Sequence, residues 1–236
     1  KYMKENNVTL TLLPPQYFRQ TNVDTFRILT TGGSASDSNV VSHVKENCRY
    51  INAYGPTENT VLATHWEYDK NKEIPLNIPI GKPISNSRIY ILNGDNLCGI
   101  GVPGELCIAG DGLARGYLNR PELTEEKFVK NPYGEGRIYR SGDLARWLPD
   151  GNIEYLGRID EQVKIRGFRI ELGEIENRIR EIEDIRDCAV IARADSAGDK
   201  AIYAYYTSEK EVNVSDIRDR LSESMPEYMV PAYMMQ

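Results

Sequence analysis

Hydrophobic and polar positions fall into three successive patterns along this chain. In the first, Val8–Leu13 is a short β-rich run stopped by Pro14-Pro15, Phe26–Thr31 is a second, and Tyr50–Tyr54 a third that runs into Gly55-Pro56. Between the second and third runs, Ser36–Asn47 sets Val40, Val41 and Val44 on one face, as an amphipathic helix does. Strands alternating with helices predict a mostly parallel α/β sheet.

From about Ile80 to Gly157 the runs shorten. Arg88–Leu92, Glu105–Ala109, Ile138–Tyr139 and Ile153–Leu156 are separated by turn signals such as Asn93-Gly94-Asp95, Pro103-Gly104, Ser141-Gly142-Asp143 and Pro149-Asp150-Gly151. These predict hairpins of a small antiparallel sheet or barrel. Beyond Asp160, Ile170–Ile185 places Leu172, Ile175, Ile179 and Ile182 at helical spacing, Ala189–Ala192 and Ala201–Thr207 read as strands, and Val214–Ser222 as a helix opened by Ser215. That is a compact α+β module, with the boundary near Arg158–Gln162. The opening Lys1–Asn7 reads as the tail of a helix already under way, so the chain is expected to be cut from something longer.

Composition narrows the function. The 236 residues are 40% hydrophobic and 27% charged, ordinary for a soluble globular protein. A net charge of −6 disfavours general affinity for nucleic acid or anionic lipid, and no apolar run reaches membrane-span length. Four scattered cysteines (Cys48, Cys98, Cys107, Cys188) make no metal spacing and read as reduced cytosolic thiols. With only His43 and His65, a Ser/His/Asp triad or a His-ligated metal is not expected.

Four segments carry candidate chemistry. Asn52-Ala53-Tyr54-Gly55-Pro56-Thr57-Glu58 is a strand ending in a tight turn at an expected helix start, where ligands of open α/β sheets bind. Its Thr hydroxyl and free amides suit a phosphate, its Tyr a base, and its carboxylate Mg²⁺. The same residues also suit a helix cap. Gly104–Gly110 followed by Gly112-Leu113-Ala114-Arg115-Gly116-Tyr117 reads as glycine-assisted hairpins with a structural role. In Tyr139-Arg140-Ser141-Gly142-Asp143-Leu144 the Asp suits a ribose diol, or an Asx turn. In Gly157–Glu171, Arg158, Lys164, Arg166 and Arg169 stand against Asp160, Glu161 and Glu171, four positive against three negative. A hairpin turning at Gly167 would gather the basic side chains into an anion-docking face, or leave them as a solvated strand.

Taken in order, these segments resemble the core motifs of the adenylate-forming superfamily, and in particular amino-acid-activating domains of nonribosomal peptide synthetases. Met225-Pro226-Glu227-Tyr228-Met229-Val230-Pro231 resembles that family's segment near its C-terminal end. The resemblance covers nearly the whole chain. It implies residues 1–158 as the C-terminal part of the large α/β core with a small barrel-like subdomain, a hinge at 159–162, and a small α+β C-terminal domain at 163–236.

The resemblance also implies a reaction. Members bind ATP·Mg²⁺ and an amino acid, form an aminoacyl-adenylate with loss of pyrophosphate, and pass the acyl group to the phosphopantetheine thiol of a peptidyl carrier protein beside other synthetase domains. By resemblance, Tyr54 packs on adenine, Gly33 passes close to it, and Thr57 contacts the α-phosphate. Glu58 ligates Mg²⁺, Asp143 binds the ribose with Arg158 assisting, and Asp160 is the hinge. Lys164 and the Gly167 loop face nucleotide or pantetheine after the hinge turns. Leu12, Thr30, Gly32, Ala53, Val61 and Leu62 match the selectivity lining. No charge lies among them, so an uncharged, fairly apolar amino acid is expected, with Gly32 and Ala53 leaving room for a larger side chain.

The family's phosphate loop, its aspartate for the substrate amino group, and its lysine in an Asn-Gly-Lys turn have no match here. The fragment is therefore expected not to adenylate appreciably alone; a missing charge-stabilising group commonly costs about 10²–10³-fold. Acyl-CoA, aryl-acid and D-alanine-activating ligases of the same superfamily, or a noncatalytic carrier-binding module, are the other readings.

Overall fold

The structure is a computed structural model describing residues 2–19, 24–160, 162–165, 167–194 and 200–236, the side chains of Arg19, Lys164 and Arg169 excepted. It divides into two compact units, residues 1–160 and 161–236.

The first unit opens with α1 (Tyr2–Glu5), β1 (Leu10–Leu13), α2 (Pro15–Arg19), β2 (Ile28–Thr31), α3 (Ser38–Ser42) and β3 (Arg49–Tyr54). β1, β2 and β3 are parallel neighbours, as alternation of strand and helix predicts. The antiparallel β4 (Thr64–Glu67) and β5 (Lys82–Pro83) complete a five-stranded sheet. Phe26, Leu29, Val40, Val41, Tyr50 and Ile78 form its core. α3 is shorter than the hydrophobic spacing predicts. The Asp37 carboxylate caps it through the Val40 amide at 2.9 Å, and His43 already closes its C-terminal end. The helix expected to open at Thr57 is a three-residue 3₁₀ turn, Thr57–Asn59, ended by Thr60 at φ 49°.

A second sheet follows from β6 (Ser87–Asn93), β7 (Asn96–Leu97), β8 (Gly104–Gly110), α4 (Pro121–Lys127), β9 (Phe128–Lys130), β10 (Arg137–Trp147) and β11 (Ile153–Arg158). Its strands run antiparallel in the order β11-β10-β8-β6-β7, with β9 on β10. Ile89, Ile91, Leu106, Ile108, Tyr139 and Ile153 are buried together with Tyr54 of the first sheet. Each such aliphatic side chain contributes about 1.5–3 kcal/mol on burial. Gly81 joins the two sheets by bridging to Ile153. A Cβ on Gly81 would lie 1.8 Å from the His65 carbonyl, so only glycine permits its close approach to β4.

The second unit holds a hairpin of β12 (Val163–Ile165) and β13 (Phe168–Ile170) turning at Gly167, φ 84°. Then come α5 (Leu172–Arg180), β14 (Ile185–Ala194), β15 (Lys200–Ser208), α6 (Val214–Ser224) and β16 (Tyr233–Met235). β14 pairs antiparallel and β16 parallel with β15. Ile175 and Ile179 of α5 and Ile217 and Leu221 of α6 share one core with Val190, Ile202 and Ala204 of this sheet. α5 stops short of the predicted Ile185 because Ile182 turns back onto Ile179 and Ile185 starts β14. α6 is capped by Asn213, which accepts from the Ser215 amide at 3.0 Å, so Ser215 is inside the helix rather than its cap. Glu161, Arg166 and the side chains of Lys164 and Arg169 lie outside the described residues, and the expected basic face lies there with them.

Candidate nucleotide-binding site

The site is built on an irregularity in β10. Ser141-Gly142-Asp143 has the composition of a turn, yet it sits inside one 11-residue strand. Gly142 takes φ 69°, and the register with β8 moves from Arg140↔Cys107 to Leu144↔Glu105, four steps on β10 against two on β8. Such bulges re-aim side chains. This one is pinned on both sides. Ser141 Oγ donates to the Leu106 carbonyl at 2.6 Å and accepts from the Asp143 amide at 3.0 Å. The Gly142 amide donates to Glu105 Oε1 at 3.1 Å.

The bulge turns the Asp143 carboxylate onto the end of β3. The Tyr54 phenol donates to Asp143 Oδ2 in a short hydrogen bond. Strand pairing sets Arg158 of β11 opposite Asp143, and its Nη1 donates to Asp143 Oδ1 at 3.1 Å and to the Ser141 carbonyl at 2.8 Å. Arg158 Nε reaches Asp160 Oδ1 at 2.7 Å. Asp143 is 1% exposed, so the ion pair is almost fully desolvated. The Tyr155 ring lies 6.3 Å from that of Tyr54.

This packing shifts proton affinities. Burial first, and then the Asp143 charge, push the Tyr54 and Tyr155 phenols above their ordinary value, so both remain donors. Burial works against the Arg158 charge, but Asp160 and Asp143 outweigh it and hold the guanidinium above its usual range.

Glu58 lies in the 3₁₀ turn after β3 and is buried. Tyr117 donates to its Oε1 at 2.7 Å. The Tyr117 ring meets Phe128 edge-on at 5.6 Å, and Phe128 meets Tyr139 at 5.1 Å. Tyr54, Tyr117, Phe128 and Tyr139 therefore belong to one hydrophobic cluster. Thr57 is exposed at the start of the same turn, and Gly33 is exposed at φ 81° just after β2.

The six expected pocket residues appear as three neighbouring pairs. Leu12 and Thr30 are cross-strand partners on β1 and β2, with Leu12 open to solvent. Gly32 lies against Ala53, where an added Cβ would come within 3.0 Å of the Ala53 carbonyl. Glycine at 32 thus serves a close backbone approach, and the room expected from its missing side chain is filled by Ala53 on that side. Val61 and Leu62 follow the 3₁₀ turn, Val61 exposed at φ 76°.

Three residues of this site escape sequence reasoning. Tyr117 sits in a glycine-rich segment read as structural, Glu105 in a strand, and Tyr155 in another. The one local signal of Glu105 and Tyr155 is a polar or phenolic group within an otherwise apolar strand pattern, which strands far from any ligand carry too; Tyr117 lies in a segment without strand or helix and has no such signal.

Comparison with known proteins follows this geometry. Residues 1–118 match AMP-binding enzymes, and residues 174–235 match the AMP-binding enzyme C-terminal domain. The chain belongs to the AMP-binding enzyme family. Among AMP-binding relatives it is 50% identical over 240 residues to tyrocidine synthase 1 of Brevibacillus parabrevis, covering 100% of this chain and 22% of that protein. It is 52% identical over 241 residues to bacitracin synthase 1 of Bacillus licheniformis, covering 100% of this chain and 4% of that one. The chain thus spans less than a quarter of either synthase. Its fold matches NpsA-ThdA, an artificially fused adenylation-PCP di-domain nonribosomal peptide synthetase from Klebsiella oxytoca, with TM-score 0.86 and 27% identity over 99% of this chain and 45% of that one. It also matches the Vibrio cholerae adenylation domain AlmE in complex with glycyl-adenosine-5′-phosphate, with TM-score 0.87 and 26% identity over 99% and 47% of the two chains. The mixed α/β architecture is that of adenylation domains.

Proposed function

We infer that this chain serves ATP-dependent activation of an amino acid in nonribosomal peptide synthesis. The substrate carboxylate attacks the α-phosphorus, pyrophosphate leaves, and the aminoacyl group passes from the adenylate to the pantetheine thiol of a carrier protein, next to further synthetase domains in the cytoplasm. The observation carrying this reading is the Tyr54–Asp143–Arg158–Asp160 network, assembled from three strands and the segment after β11.

Asp143 and Arg158 hold the ribose in this reading. A carboxylate offers about four acceptor positions, and Tyr54 and Arg158 occupy one each. Because Asp143 is enclosed, hydroxyls reach it by displacing one of these partners. Tyr54 and Gly33 border the adenine, Thr57 meets the α-phosphate from its exposed turn, and Asp160, next to the division between the two units, is the hinge.

Glu58 suits Mg²⁺. Its single carboxylate, in the turn after β3, is a hard oxygen ligand. That donor set fits Mg²⁺, which commonly takes one or two carboxylates and completes its shell with phosphate oxygens and water. The cation would neutralise charge developing on the nucleotide phosphates.

Leu12, Thr30, Gly32, Ala53, Val61 and Leu62 bring no charge to the substrate, which supports an uncharged, fairly apolar amino acid. Among the described residues no helix is long and apolar enough to cross a membrane.

Calorimetric titration of the 236-residue chain tests this reading. AMP and ATP·Mg²⁺ should bind, Asp143→Asn should weaken both about tenfold or more, and aminoacyl-sulfamoyl-adenosines bearing Leu or Phe should bind tighter than those bearing Asp or Lys. Carrier-protein binding with no response to any nucleotide would replace the enzyme reading with a noncatalytic module.

A further inference from the structure

The segment Gly112–Tyr117 and the turn Thr57–Leu62 are about 50 residues apart in sequence and joined by several independent contacts. The Ala114 amide donates to the Glu58 carbonyl at 2.8 Å. Thr60 Oγ1 donates to the Gly112 carbonyl at 2.7 Å. Tyr117 donates to Glu58 Oε1 at 2.7 Å. Gly112 packs so close to Asn59 that an added Cβ would lie 2.9 Å from its Oδ1.

The turn itself is strained. Thr60 and Val61 are β-branched residues at φ 49° and 76°, and the Leu62 amide bonds back to the Thr60 carbonyl at 2.9 Å. A positive-φ γ-turn of this kind is rare and costs of order 1–3 kcal/mol, so surrounding contacts must impose it. Gly55 admits it on one side, where a Cβ would come within 2.4 Å of the Val61 carbonyl. The clamp is in turn held from behind. Arg137 donates to the Ala114 and Arg115 carbonyls at 3.1 Å each, and the Tyr117 amide donates to Thr124 Oγ1 at 2.9 Å. Gly116, at φ 147°, lies where a Cβ would strike the Thr124 methyl at 2.3 Å.

We propose that Tyr117 is a positioning residue: its hydroxyl and the Gly112–Ala114 clamp fix the orientation of the Glu58 carboxylate, and so set the affinity for a divalent cation carried by a nucleotide phosphate. This rests on the reading of Glu58 as the metal carboxylate. A freely rotating carboxylate loses rotamer entropy when it binds a cation; one already hydrogen-bonded through Oε1 has lost it on folding.

The test is Mn²⁺ titration of the ATP-loaded 236-residue chain, followed by electron paramagnetic resonance, with metal-free AMP affinity measured alongside. Tyr117→Phe should raise the half-saturating Mn²⁺ concentration about 10–100-fold while AMP affinity stays within about twofold. Thr60→Val, which removes the second clamp bond but keeps the β-branched turn, should raise it several-fold. Glu58→Gln should raise it at least as far as Tyr117→Phe. If Glu58→Gln shifts the midpoint and both clamp variants leave it unmoved, Tyr117 is not a positioning residue. If Glu58→Gln leaves it unmoved, the reading of Glu58 fails and the proposal with it.

Discussion

The phenol of Tyr54 donates its hydrogen bond to the carboxylate of Asp143, 89 residues further along the chain, and both groups are buried. A phenol bonded to an ionised partner is worth about 1.5–3 kcal/mol. Tyr54→Phe keeps the ring and removes only that bond, so the first unit should lose stability by this amount. Both tryptophans, Trp66 and Trp147, lie in that unit, so urea unfolding followed by tryptophan fluorescence reports it separately from the second.

Arg158 is a stronger case. Its side chain is 10% exposed and that of Asp143 is 2% exposed. Removing one member of such a pair leaves an uncompensated buried charge, typically at a cost of about 3–5 kcal/mol. Arg158→Met should therefore destabilise the first unit more than Tyr54→Phe does. A smaller loss in the same urea experiment would mean that water reaches Asp143 and the pair is not desolvated.

Alkaline pH should unfold the first unit earlier than an ordinary surface would. The phenols of Tyr54, Tyr117 and Tyr155 are all raised above an ordinary value of 10, chiefly by burial and then by their carboxylate neighbours. Below pH 10 they are protonated in both states and their contribution is complete. Above it the unfolded chain releases protons that the folded chain retains, so stability falls by about 1.4 kcal/mol per pH unit for each phenol. Cys107, whose thiol burial pushes up to about 12, adds to the decline from about pH 9. Urea midpoints at pH 8, 10 and 11 should show this, with a shallower decline in Tyr54→Phe. An unchanged slope in that variant would remove Tyr54 from the account.

In the second unit, Asn213→Ala should cost about 1 kcal/mol, the usual worth of a helix N-cap, because its side chain holds the Ser215 amide. Hydrogen exchange of the first-turn amides of α6 would register it. Ser215→Ala should have a smaller effect, since its amide rather than its hydroxyl takes part in the cap.

Much of this fold is written in local periodicity. The three parallel strands, the hairpin at Gly167 and the two helices of the second unit follow from spacing, because each buries one face against a core. What periodicity could not supply was long-range. Ser141-Gly142-Asp143 carries turn residues, and long-range bonds to Leu106 and Glu105 on β8 and to Arg158 on β11 keep it in a strand. Candidate residues Tyr54, Asp143 and Arg158 were legible one by one, through the order of their motifs. Their mutual hydrogen bonds were not, since they depend on the bulge of β10 against β8 and on its register with β11. Tyr117 was hidden for the same reason: nothing local distinguishes a phenol that holds Glu58 from one that fills a core.

The two-residue surplus in β10 decides which way one carboxylate faces. Shortening the strand by two positions would give β10 and β8 an uninterrupted ladder with every side chain still on its present face. The straighter sheet is thus within easy mutational reach and would spare a left-handed glycine. It would also withdraw the carboxylate from Tyr54 and Arg158. A conformational penalty is thus kept at the one spot where the backbone turns the carboxylate of Asp143 toward Tyr54 and Arg158.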